Sequence, residues 1–132
     1  MGLMNTEGER RFPLEKLTFE LNGLAMRVHS KLGHGFSEVV YKDALEIELN
    51  EAGIPYEREK GFNIMYGDVL LKHKYYADFI AYDNIVIEVK AQKAIAEENC
   101  KQVMNYLAVS KCKIGLIYNF GGLSLFFKRI IL

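Results

Sequence analysis

One stretch constrains this chain more than any other: Tyr76-Ala77-Asp78-Phe79-Ile80-Ala81-Tyr82-Asp83-Asn84-Ile85-Val86-Ile87-Glu88-Val89-Lys90. Apolar residues alternate with others on both sides of a polar Asp83-Asn84 step, the pattern of two strands joined by a tight turn. Two registers are open. A two-residue Asp83-Asn84 loop pairs Tyr82 with Ile85 and puts Asp78 opposite Val89. A three-residue Tyr82-Asp83-Asn84 loop pairs Ala81 with Ile85 and puts Asp78 opposite Glu88. A slip of one residue carries a whole strand's side chains to the other face, so the two registers build different sheets. The three-residue loop gathers Ala77, Phe79, Ala81, Ile85, Ile87 and Val89 on one wholly apolar face. It leaves Asp78, Glu88 and Lys90 together on the other, beside Ile80, Tyr82 and Val86. The two-residue loop mixes charge into both faces. Asn84 also tolerates the left-handed backbone that a three-residue loop with a bulge requires. The pattern selects the three-residue loop.

That register places two carboxylates and an ammonium side by side in mid-sheet. A partly buried ion-pair cluster is one reading. Yet two carboxylates so close repel each other and are desolvated, which is costly unless a cation sits between them. Magnesium is a hard ion that prefers oxygen ligands and keeps several waters, and it would offset that cost. The chemistry favours a metal site.

The rest of the chain supplies a frame for this hairpin. Its 132 residues suit one compact α/β domain, expected over residues 17–132 after a loose segment at 1–16. Leu17, Leu21, Leu24, Ala25, Val28 and Leu32 recur at helical spacing behind Thr18, a good N-cap, and Gly33-His34-Gly35 ends that helix. A second helix starts at Ser37, turns Val40, Tyr41, Ala44, Leu45, Leu49 and Ala52 inward, and stops at Gly53. Strands follow at 55–66, 69–81 and 85–91, with Gly67-Asp68 as the first turn. Residues 95–110 form a third helix with Ala96, Cys100, Val103, Met104, Leu107 and Ala108 as its stripe. Residues 113–120 and 123–131 are two last strands around Gly121-Gly122. The order is ααβββαββ. The strand–helix–strand crossover after Ala91 implies a parallel pair, hence a mixed sheet with helices on both faces.

Composition narrows the partners. Lysine plus arginine equals aspartate plus glutamate, 17 of each, which argues against holding nucleic acid by bulk charge alone. Cys100 and Cys112 read as reduced residues of a helix and a strand. No apolar run reaches the ~20 residues that span a bilayer, and residues 1–12 lack a signal-peptide core, so a cytoplasmic protein is expected.

Asp78 with Glu88-Val89-Lys90 resembles the signature of the PD-(D/E)XK phosphodiesterase superfamily, with Ala77 where the family name has proline. Gly35-Phe36-Ser37-Glu38-Val39-Val40-Tyr41 is similar to the Gly-x-x-Glu-x-x-Tyr signature of a small bacterial and archaeal family within it. Gln102-Val103-Met104-Asn105-Tyr106 resembles the superfamily's Gln-x-x-x-Tyr element on the helix after the core hairpin. The likeness runs from about Leu17 to Ile131. It implies a restriction-endonuclease-like core and a Mg²⁺-dependent nuclease, with Mn²⁺ as a substitute ion and DNA favoured over RNA as substrate. Asp78, Glu88 and the Val89 carbonyl would hold the metal, and Glu38 would complete its shell directly or through water. Lys90 would stabilise charge on the phosphorane or position a water. Gln102 joins the catalytic set, and Tyr106 and Tyr41 stand on the substrate side.

Several of these residues also fit simpler roles. Glu38 in a first turn suits the helix dipole, and Tyr106 suits packing with a bonded hydroxyl. Lys72-His73-Lys74-Tyr75-Tyr76 mixes cations and aromatics that suit phosphates and bases, or an edge strand that lysine keeps soluble; Lys72 and Lys74 are its substrate-binding candidates. Lys93, Lys111, Lys113, Lys128 and Arg129 suit phosphate contacts or solvated surface. A non-catalytic module that binds nucleic acid or a protein partner is the alternative function, but such proteins usually lose the Glu or Lys of the core motif, and both are present. With no separate DNA-reading motif, sequence-specific cleavage would need a homodimer or a partner protein.

Overall fold

The computed structural model describes residues 6–132. Its elements are α1 (Thr6–Leu32), α2 (Glu38–Glu51), β1 (Tyr56–Phe62), β2 (Met65–Tyr66), β3 (Val69–Leu70), β4 (Tyr75–Ala81), β5 (Ile85–Lys90), α3 (Glu97–Ser110), β6 (Ile114–Asn119) and β7 (Phe126–Ile131). Five strands form one sheet in the order β1-β4-β5-β6-β7. Among the described strands only β5 and β6 run parallel, and α3 makes the crossover between them. The mixed sheet flanked by helices is the expected α+β architecture.

The two faces carry separate cores. Leu21, Leu24, Ala25 and Val28 of α1 and Tyr41, Leu45 and Leu49 of α2 pack with Phe79, Ala81, Ile85, Ile87, Val89, Leu116 and Tyr118. On the opposite face Val103 and Leu107 of α3 cover Ala77, Ile80, Val86 and Ile117. α3 lies so close to the sheet that a Cβ on Gly115 would come within 2.5 Å of Val103 Cγ1. Between α1 and α2, buried Glu48 is paired with Arg27 at 3.5 Å and Lys31 at 3.3 Å.

Three expectations about element limits change. α1 begins at Thr6 rather than at Thr18, so of the segment expected to be loose residues 6–16 are helical, and 1–5 lie outside the described residues. A first stretch with no apolar periodicity can still be helical, because periodicity reports packing rather than backbone conformation. Thr18 is therefore no cap. Its hydroxyl is buried without a hydrogen-bond partner among the described residues. The strands expected at 55–66 and 69–81 are each interrupted. Residues 65–70 leave the sheet as the separate hairpin β2–β3, closed by Leu71 N–H to Ile64 O at 2.9 Å, with Met65, Tyr66, Val69 and Leu70 exposed. Of the stripe expected on α3, Val103 and Leu107 are buried, Cys100 is half-buried, and Ala96, Met104 and Ala108 are exposed.

The selected hairpin register holds, with Ala81 opposite Ile85, Ile80 opposite Val86 and Phe79 opposite Ile87. Its turn differs. Tyr82 and Asp83 adopt positive φ of 54° and 56°, and Asn84 does not. Two successive left-handed residues match the twist of the flanking strands. This leaves the Asn84 side chain free to accept the Lys113 N–H at 3.1 Å, tying the turn to the start of β6.

Beyond β6 the chain is locked by Asn119. Its Oδ1 accepts the Gln92 N–H at 2.9 Å and its Nδ2 donates to Gln92 O at 3.0 Å. Gly121 packs directly on that loop, and a Cβ there would lie 2.0 Å from Gln92 O. Backbone on both sides leaves the contact nowhere to relax. Gly121→Ala should therefore cost about 3 kcal/mol or more by urea denaturation; a loss below about 1 kcal/mol would contradict this packing.

Candidate metal and active site

Asp78 sits at a break in the sheet. Pairing between β1 and β4 keeps one register from Tyr56–Ala81 through Arg58–Phe79 and again from Lys60–Ala77 to Phe62–Tyr75, but Glu59 and Asp78 are not paired. Glu59 has φ 55°, the left-handed region, in mid-strand. Across this kink the faces exchange. Tyr56, Phe79 and Ala81 pack under α1 and α2, whereas Phe62, Tyr75 and Ala77 pack on the α3 side. One expected placement is corrected by this: Ala77 joins Ile80 and Val86 rather than Phe79. A second, Tyr82 against the α1–α2 core, comes from the turn itself, where its φ of 54° breaks the alternation. Strict alternation from the turn cannot anticipate a kink four residues away.

The kink frees the Asp78 carboxylate from the ladder. Its Oδ2 accepts the Val89 N–H at 2.8 Å. Its Oδ1 lies 3.1 Å from Lys42 Nζ, and the same ammonium also contacts Glu59. Burial works against the charge on Lys42, but the hydrogen bond and charge of Glu59 and of Asp78 outweigh it and raise its pKa.

Glu88 projects from β5 toward the α3 side and is only 5% exposed. Tyr75 donates its hydroxyl to Glu88 Oε1 at 2.5 Å. Burial and then the neighbouring Asp78 charge push the Glu88 carboxyl up to about 8, against the opposing effects of the Tyr75 hydrogen bond and the Lys90 charge. Tyr75 is itself pushed far up by burial and by the Glu88 charge. Its ring stacks on Tyr106 with centroids 3.6 Å apart and on Phe62 at 5.9 Å. Gln102 is close enough to the Tyr106 hydroxyl to oppose the rise that burial and the Glu88 charge cause in it. A chain of contacts thus runs from Gln102 through Tyr106 and Tyr75 to Glu88.

The structure therefore gathers Asp78, Glu88 and Lys90, with Tyr106 and Gln102 behind them. Other sequence candidates stand elsewhere. Glu38 is exposed in the first turn of α2, one turn ahead of Lys42, and it is Lys42 that meets Asp78. No group of three or more His, Cys, Asp or Glu residues suited to a metal occurs among the described residues. Tyr41 is wholly buried. Its hydroxyl donates to Gly33 O at 2.7 Å and accepts the Phe36 N–H at 3.2 Å, while its ring stacks on Phe120 at 4.6 Å. That makes it the fastener of the α1–α2 turn rather than a substrate contact. Lys72 and Lys74 are exposed in the link between β3 and β4, and Lys93, Lys111, Lys113, Lys128 and Arg129 are exposed as well. Cys100 and Cys112 are free.

Sequence reasoning missed Lys42, Glu59 and the role of Tyr75. Lys42 lies four residues after Glu38, a spacing that puts both on one helix face. That was the available signal. Nothing in the sequence marks Glu59 for a left-handed backbone.

The donor set fits a divalent oxygen-seeking ion. Two adjoining carboxylates, one buried and reluctant to ionise beside the other, gain most from a cation, and magnesium completes its shell with water. Residues 15–130 match the family model of the PD-(D/E)XK nuclease superfamily. The crystal structure of SSO0001 is similar in fold, with a TM-score of 0.53 and 19% identity over 84% of this chain and 65% of that one. This chain thus spans slightly less than two thirds of that protein's length. No curated protein is significantly similar to it. The chain belongs to the PD-(D/E)XK nuclease superfamily.

Two outcomes follow from the geometry. Removing the hydroxyl in Tyr41→Phe leaves Gly33 O and Phe36 N–H short of a partner, and should cost about 1–3 kcal/mol in chemical denaturation; no loss would mean that the turn does not depend on it. For Glu88 the folded pKa lies above the unfolded one. Its effect on stability is neutral below about 4.5, becomes increasingly unfavourable between about 4.5 and about 8, and levels off above that. Without added metal, Glu88→Gln should raise Tm at pH 9 relative to the native protein and leave it nearly equal at pH 4.5. A gain that is the same at both pH values would contradict the burial of this charge.

Proposed function

We propose that this member of the PD-(D/E)XK nuclease superfamily is a divalent-metal-dependent phosphodiesterase acting on nucleic acid, with Mg²⁺ as its ion and DNA as its preferred substrate. The observation that carries the reading is the buried Glu88 carboxylate beside Asp78 at the sheet kink, an arrangement that calls for a cation. The Gly35-to-Tyr41 signature supports placement in the Gly-x-x-Glu-x-x-Tyr family within the superfamily.

In this reading Asp78 and Glu88 hold the ion, with the Val89 carbonyl completing the protein's share. A divalent ion held there supplies Lewis acidity toward a phosphoryl group and a nucleophile at neutral pH. The rest is the work of side chains. Glu88 gives up its proton on loading, and Tyr75 keeps its carboxylate oriented through the 2.5 Å hydrogen bond. Lys90, on the same face of β5, is the cation that meets charge developing on the phosphorane. Gln102 and Tyr106 brace Tyr75 from α3. With equal numbers of acidic and basic residues, association with nucleic acid should be weak and salt-sensitive. Specific cleavage would call for a second copy or a partner protein.

The test is cleavage of single- and double-stranded DNA and RNA with Mg²⁺ or Mn²⁺. The native protein should cut, DNA faster than RNA, and chelation should abolish cutting. Asp78→Ala, Glu88→Ala and Lys90→Ala should each lower the rate by about 10²-fold or more. Metal-dependent cutting that survives Glu88→Ala would refute the mechanism. Metal binding by a native protein that cuts none of the four substrates would favour the alternative, a nuclease-like module that binds nucleic acid or a protein partner.

A further inference from the structure

Lys42 is an enclosed cation held between two acids. Its side chain is only 13% exposed, and its ammonium bridges Asp78 Oδ1 at 3.1 Å and Glu59 Oε1. The other oxygen of Asp78 is already committed to the Val89 N–H. On Oδ1 it is the Lys42 ammonium that occupies the place a cation would take. Glu59 is placed for a second purpose. It stands at the unpaired position of the β1–β4 ladder in a left-handed conformation that a non-glycine residue rarely adopts, and its side chain is half exposed. The strained residue holds the ammonium from the solvent side.

We propose that Lys42 is the resident counter-ion of Asp78 and sets the affinity of the site for a divalent cation, withdrawing onto Glu59 when that cation binds. The inference rests on the reading of Asp78 and Glu88 as metal-holding carboxylates and goes beyond it. Without metal, the ammonium balances the charge of Asp78. With metal, an ammonium and a divalent ion on one carboxylate repel each other, and Glu59 offers the ammonium a place to go without leaving it unpaired. Lys42 acts through Asp78, so it is a positioning residue.

The experiment is calorimetric titration of Mg²⁺ and Mn²⁺ into the full chain and its Lys42→Met, Lys42→Arg and Glu59→Gln variants, with thermal melts of each. Lys42→Met should bind metal about tenfold more tightly or better, from the loss of one like charge within a few ångströms. Its Tm should fall without metal and rise further than the native protein's on loading. Lys42→Arg should stay near native affinity. Glu59→Gln, which removes the alternative partner from an exposed position, should bind metal several-fold more weakly. Native or weaker affinity in a cooperatively melting Lys42→Met overturns the proposal. If that variant does not fold, unchanged or tighter binding by Glu59→Gln overturns it instead. Failure of the native protein and Lys42→Met alike to bind either ion overturns the metal-site reading itself, and this proposal with it.

Discussion

Two carboxylates that repel each other, one of them nearly out of reach of water, are what the surrounding structure is arranged to hold. Asp78 and Glu88 would cost less apart. They are kept together because the sheet breaks at Glu59–Asp78, taking Asp78 out of the ladder, while β5 stays paired with β6 and buries Glu88 on the α3 side. The rest of the neighbourhood answers that cost. The Val89 N–H and Lys42 satisfy Asp78, and the Tyr75 hydroxyl and the Lys90 charge favour the ionised Glu88. These partners come from α2, β4 and β5, so the site depends on the order of the sheet and on both helical layers at once.

The layers are fixed far from the charges. Tyr41 fastens the α1–α2 turn and stacks on Phe120 at the end of β6. Asn119 and Gly121 clamp the loop after β5, and the Phe120 N–H donates to Lys90 O at 2.8 Å. Lys90 is thereby held by its backbone while its side chain stays half-buried. A Gly-x-x-Glu-x-x-Tyr signature can in this way matter for the site through packing, since its tyrosine sets the helix that delivers Lys42.

Much of this was legible in the chain. The choice of register for the β4–β5 hairpin came from one wholly apolar face, and the pairing of Ala81 with Ile85 bears it out. Gly33 and Gly53 ended their helices as expected, and the crossover after Ala91 made the one parallel pair. The rest was hidden for physical reasons. Periodicity reports burial, so it missed the start of α1 and ran the separate β2–β3 hairpin into the strands of the main sheet. Alternation carries no sign of a kink or of left-handed turn residues, so Ala77 and Tyr82 fell on the wrong faces. Motif matching pointed to Tyr41 and Glu38, which share a signature; the ion pair with Asp78 comes from Lys42, which belongs to no motif.

The central claim is that Asp78 and Glu88 together hold one divalent ion. Anomalous scattering from crystals grown or soaked with Mn²⁺ tests this most directly. The account predicts a single strong peak within coordination distance of both carboxylates, absent from crystals of Glu88→Gln. No peak at this pair in a well-ordered native crystal, or one that persists unchanged in Glu88→Gln, would contradict it.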